Sequence, residues 1–270
     1  MPKLRRPSLP KGQVISASQT KRWYNGAQQD ILSGDYEAVI RICRNALNAL
    51  PSKVKVRADF LGLLGNACGM LKRFEEAYQA LAEATQINPG DSVLWYNLAQ
   101  SARYTMRTGE ALSYFKRAIE LETDQGQARE FAKEIEFTRK IVASELKLRG
   151  PAFTLEQLIE QQNLFREAND LMESHHWAEA EESFRRVIDI ADVLPQPWGN
   201  LGLCLIMQRR FDEAEAALRR ALVIDRKYDL AQQNLKALPE IRKSGQLPNF
   251  RLRDPMVAAK VSQTVVFEKK

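Results

Sequence analysis

Between residues 58 and 125, large and small apolar residues recur in a fixed order at an offset of 34. Leu64 falls on Leu98, Gly65 on Ala99, Ala77 on Ala111, Leu81 on Phe115 and Ala84 on Ala118. Within one copy, Trp95, Leu98, Ala99 and Ala102 share a helical face, and Ala111, Phe115 and Ala118 share another. The pattern predicts two helices joined by a turn. Ala99 and Ala111 stand where the two backbones approach, so only small residues fit. Trp95 and Phe115 fill the space between neighbouring copies. A single pair cannot bury its apolar face, so several copies must stack.

Followed along the chain, the pattern predicts about five copies. The first spans 20–53, with Trp23 in the place of Trp95, Ala27 as its small residue and Gly34-Asp35-Tyr36 at the turn. Val39 stands where the next copies have Ala77 and Ala111, and Pro51 ends the unit. Four extra residues, Val54 to Arg57, predict a longer turn or a splayed seam before the copies at 58–91 and 92–125. The period is then lost. Residues 126–160 read as a helical bridge, broken at Gly150-Pro151 and restarted by a Thr154–Gln157 capping box. Two further copies follow at 161–194 and 195–228, and 229–243 reads as a capping helix. Residues 1–19 and 244–270 lack a helical stripe, and Thr264-Val265-Val266-Phe267 has strand character.

The 34-residue unit resembles the tetratricopeptide repeat family. The resemblance implies an all-α fold, a right-handed α-solenoid of helix–turn–helix units arranged three plus two. It implies nothing about activity.

Charge divides the chain differently. Of the net +6, residues 1–22 carry +6 and 236–270 carry +5, leaving −5 for 23–235. An acidic scaffold thus has two basic ends. Those ends admit nucleic acid as an alternative partner, through salt-dependent contacts. Cys43, Cys68 and Cys204 lie far apart on predicted helices and read as small core residues of a reduced, cytoplasmic protein. No apolar run is long enough for a membrane span.

The family resemblance places the first helix of each unit on a concave face. The sixth place of each first helix, with the cap, then gives Asn25, Leu63, Asn97, Arg166, Asn200 and Asn234. Asparagine is a mediocre helix former, and its amide both donates and accepts. A row of such amides could hold the backbone of an extended peptide, as asparagine at this place does in several family members. Neighbouring inner-face places hold Tyr24, Gln28, Asn66, Tyr96, Gln100, Arg103, Tyr104 and Asn169. Lys21, Asn25 and Arg103 are too scattered for the clamp that binds chaperone C-terminal tails. The acids of the second helices, Glu75, Glu76, Glu110, Glu181, Asp212 and Glu213, read as a solvated outer face.

No phosphate-binding glycine loop, nucleophile elbow or zinc-protease motif occurs. His175 and His176 fall on a turn, without the further ligands a metal requires. The expectation is a non-catalytic scaffold or adaptor for a protein or peptide, with no cofactor and no metal. Self-association through an unsealed end near Trp23 is a further alternative.

Overall fold

The computed structural model describes residues 16–52 and 54–247. Most of the basic N-terminal arm and the C-terminal segment from 248 onward, including Thr264–Phe267, lie outside them. The described residues form helices and turns, with no strand among them. The helices are α1 (Ala17–Leu32), α2 (Tyr36–Ala49), α3 (Lys55–Met70), α4 (Phe74–Ile87), α5 (Ser92–Tyr104), α6 (Thr108–Leu121), α7 (Gln125–Arg149), α8 (Leu155–Glu173), α9 (Trp177–Ile190), α10 (Pro195–Met207), α11 (Phe211–Ile224) and α12 (Asp229–Ser244). They divide into two compact units, Met1–Arg139 and Lys140–Lys270, with the boundary inside α7.

Within each unit helices pair with their chain neighbours. The second helices α2, α4, α6, α9 and α11 are all 14 residues long. Their fourth position is Val39, Ala77, Ala111, Ala180 or Ala214, each fully buried. The first helices close on these small residues. A Cβ on Gly65 would come within 2.4 Å of Leu81, and one on Gly202 within 2.7 Å of Leu218. Each contact is far shorter than van der Waals distance, so a methyl at either place would displace the facing leucine.

Side chains close the N-termini of α1, α2, α5 and α8. Asp35 accepts from the backbone N–H of Ala38, and Asp91 from those of Val93 and Leu94. Thr154 and Gln157 form a reciprocal capping box. The turn joining each pair passes through a left-handed residue: Gly34, Lys72, Met106, His175 and Arg209 all have φ between 60° and 77°. Only the first is glycine, so packing of the helices imposes this conformation on four side-chain-bearing residues.

Two expectations are revised. The four extra residues Val54 to Arg57 form neither a longer turn nor a splayed seam. Lys55 to Arg57 add a helical turn to α3, and Val54 is its N-cap. Arg57 donates to the carbonyls of Leu47 and Leu50 at the end of α2, and its Nε donates to Glu83 at 2.7 Å. These bonds satisfy carbonyls that the helix end leaves open.

Nor are the acids of the second helices merely solvated. The residue just before α4, α6 or α11 is an arginine that reaches back to the previous unit's second helix. Arg73 meets Glu37 at 3.4 Å, Arg107 grips Glu75 with two bonds of 2.7 and 2.9 Å, and Arg210 meets Glu181 at 2.6 Å. Arg107 is 8% exposed and lies 4.0 Å over the ring of Tyr78.

Cys43, Cys68 and Cys204 are buried thiols, and burial pushes Cys43 and Cys204 up to about 12. Trp23 packs against the core of its unit. His175 and His176 occupy the turn before α9, where both are exposed.

Candidate functional site

In the first unit, α1 touches α3 and α3 touches α5. Each of these first helices offers three residues at i, i+3 and i+7, a spacing that keeps them on one face. They are Asn25, Gln28 and Leu32 on α1, Leu63, Asn66 and Met70 on α3, and Asn97, Gln100 and Tyr104 on α5. Asn25, Gln28 and Asn66 are exposed, while Leu63, Asn97, Gln100 and Tyr104 are half-buried. Leu32 is 89% and Met70 57% exposed. The face therefore carries amides along its middle and bare apolar side chains along the edge nearest the turns. Lys21 and Asp59 lie one turn further toward the helix N-termini.

Not every inner-face residue foreseen from the sequence is offered to a ligand. Tyr96 stacks on Phe131 of α7, with centroids 4.3 Å apart. Arg103 pairs with Glu134 of α7 at 2.6 Å, bonds Thr138 and lies over Phe137. Both residues hold α7 in place. Gln100 donates to the Tyr96 hydroxyl at 2.8 Å and accepts from Arg103, so it is fixed by the same contacts. Tyr24 meets Phe60 edge-on at 5.9 Å, and burial followed by the charge of Asp59 raises its phenol. Tyr104 stacks on Phe74 at 4.3 Å.

The second unit treats its amides differently. Asn169, Asn200 and Asn234 are 6%, 0% and 5% exposed. The sequence reading put these asparagines on an exposed face, and here they are interior. Asn200 donates to Asn169 Oδ1 at 3.0 Å. Among the described residues, Asn200 Oδ1 and Asn234 Nδ2 have no hydrogen-bond partner. Asn200 lies on α10, on which α9, α11 and α12 pack. From Pro195 to Ile206 only Trp198 escapes full burial. The signal was legible in Leu201-Gly202-Leu203-Cys204-Leu205-Ile206, which is apolar all round as a buried helix must be. Arg166 is half-buried and donates to Asn163. Leu32 and Met70 were missed, although both stand at the same distance before their turns.

Among the described residues, no helix is long and apolar enough to cross a membrane.

No curated protein matches the sequence significantly. Among solved structures, the Sgt2 TPR domain from Aspergillus fumigatus is 19% identical with a TM-score of 0.44, covering 53% of this chain and 92% of its own. A complex titled as the TPR2AB domain of yeast Sti1 with pHSP90 is 12% identical with a TM-score of 0.41, covering 84% and 86%. YrrB, titled as a TPR protein with an unusual peptide-binding site, is 18% identical with a TM-score of 0.36, covering 79% and 90%. Family models described as tetratricopeptide repeat match residues 58–91, 93–125 and 165–236. These matches span just over half of the sequence and fall on helix pairs of both units, so the chain belongs to the tetratricopeptide repeat family.

Proposed function

We propose that this chain is a non-catalytic interaction scaffold that holds an extended peptide segment across α1, α3 and α5 of its first unit. Tetratricopeptide repeats are protein-interaction modules, and the finer reading rests on one observation. Amides recur on successive first helices, exposed at Asn25, Gln28 and Asn66 and half-buried at Asn97. An exposed amide in a helix adds little to folding, yet it can both donate to and accept from a peptide backbone. The second unit lends less to this reading, because its asparagines are interior.

The test is selection of a random peptide library on the full chain, followed by replacement of Gln28, Asn66 and Asn97 by alanine. The exposed positions of Gln28 and Asn66 let the fold survive. Selected peptides should lose at least about tenfold in affinity, some 1.4 kcal/mol. Peptides that bind the triple variant undiminished would remove the groove from the account.

A further inference from the structure

The inner face of the second unit is sealed more completely than its helices explain. Asn66, Asn169 and Leu203 hold the same place in their repeats. Asn66 is exposed although α1, α2, α4 and α5 all pack on α3. Leu203 is 0% exposed on α10, against which α9, α11 and α12 pack, and Asn169 is 6% exposed on α8. Packed helices leave this place open in one unit, so a further element closes it in the other.

Two buried atoms of that face also lack partners. Asn200 Oδ1 and Asn234 Nδ2 have none among the described residues. One is an acceptor and the other a donor, on α10 and α12, which touch. A buried polar group left unpaired is destabilising. The N–H and C=O of a peptide backbone complement this pair.

The chain beyond α12 is brought to the same face. Gly245 ends α12 in the left-handed region, at φ 70°, which turns the backbone off the helix. Arg209, in the turn after α10, donates to the Gly245 carbonyl at 3.2 Å. Leu247 then packs against the core of the second unit. Asn200 lies seven residues before Met207, the end of α10, about 10 Å back along the helix. About three or four residues of extended chain span that distance.

The residues that follow Leu247 suit this place. They read Pro248-Asn249-Phe250-Arg251-Leu252-Arg253. In an extended chain, alternation puts Phe250 and Leu252 on one side and the two arginines on the other. Matching acids stand at the end of α8: Asp170 follows Asn169, and Glu173 is one turn beyond it, both exposed. We infer that residues 248–253 lie along the inner face of the second unit as a built-in ligand. Their backbone pairs with Asn200 and Asn234, Phe250 and Leu252 cover Leu203 and Met207, and the arginines meet Asp170 and Glu173. A peptide from outside reaches this face only when the segment leaves it.

Leu203→Cys in the full chain gives the face a thiol to follow, since Cys43, Cys68 and Cys204 are buried. Adding Phe250→Ser and Leu252→Ser should speed alkylation of position 203 by iodoacetamide at least about tenfold, with the native thiols still protected. A rate that is unchanged, or that rises equally at Cys204, would overturn the inference. A second variant leaves the core untouched. Arg251→Lys supplies an amine for carbodiimide coupling, and its cross-link should map to Asp170 or Glu173 of the same chain. A link to these acids from Lys3 or Lys11 instead would make the N-terminal arm the occupant. A link only between two copies would make it a second chain. Either result, or no link from position 251 to these acids, would overturn the inference.

Discussion

The two units use the same amide side chain in opposite ways. In the first, Asn25 stands exposed on α1. In the second, Asn200 on α10 is 0% exposed and spends its N–H on Asn169. Both lie on first helices of repeats built on one plan. What differs is the coverage: α9, α11 and α12 pack on α10 but only α2 and α3 on α1, and the α10 sequence is apolar nearly all round. A repeat position thus names a direction on a helix. Whether that direction leads to solvent or to core is decided by the neighbours.

The largest expected effect probes what the units share. Gly65→Ala and Gly202→Ala would drive a methyl into Leu81 and Leu218, and each should cost about 1–3 kcal/mol in urea unfolding. A loss in only one of them would show that the helix pairs are not equivalent after all. Next comes the contrast itself. Asn200→Ala should destabilise by about 1–2 kcal/mol, because it strips Asn169 of its interior donor. Asn25→Ala should stay within about 0.5 kcal/mol and act on ligand binding instead. Equal losses of stability would collapse the distinction between an open and a sealed row.

Acid sharpens the comparison in the second unit. Burial alone would raise the Glu181 carboxyl, but hydrogen bonds from Arg185, Gln208 and Arg210 outweigh it and hold the group below the usual carboxylate range. A carboxyl lowered in the folded state stabilises above its unfolded pKa, and the contribution is lost as pH falls through the folded value. Unfolding curves taken between about pH 6 and 3 should therefore show a steeper loss for the wild type than for Glu181→Gln. Parallel pH profiles would remove Glu181 as a source of acid sensitivity. The smallest effect concerns the turns. Met106→Gly in the first unit and His175→Gly in the second should each raise stability by about 0.5–1 kcal/mol, since glycine takes positive φ without strain. A loss at either would mean that the side chain contributes more than its conformation costs.

Most of the fold was legible in the sequence, because a 34-residue period with Ala77, Ala111 and Ala214 in one place reports directly on close helix contact. Cover was harder to read. Asn25 and Asn200 share a local sequence grammar, and nothing within six residues of either says what packs over it. The run of apolar residues after Asn200 was the available clue. Tyr96 and Arg103 look like ligand-contacting residues by position, yet Phe131 and Glu134 claim them from a helix some 30 residues later in the chain. The insertion Val54 to Arg57 read as a longer turn or a splayed seam because the period was broken there. Arg57 turned it into helix by bonding the carbonyls of α2.

The backward-reaching arginines carry a consequence for how such a chain can be rearranged. Arg107 finds its acid at the second residue of α4, whereas Arg210 finds its acid at the fifth residue of α9. Arg73, like Arg107, is cut for a carboxylate at the second residue of the preceding second helix, and Arg210 for one at the fifth. Copies that look interchangeable by period are therefore not all interchangeable in order. A shuffled or duplicated chain that placed α5 and α6 behind a helix without a carboxylate at its second residue would enclose the Arg107 guanidinium with no counter-charge. Such a chain would keep every helix and lose its order of assembly.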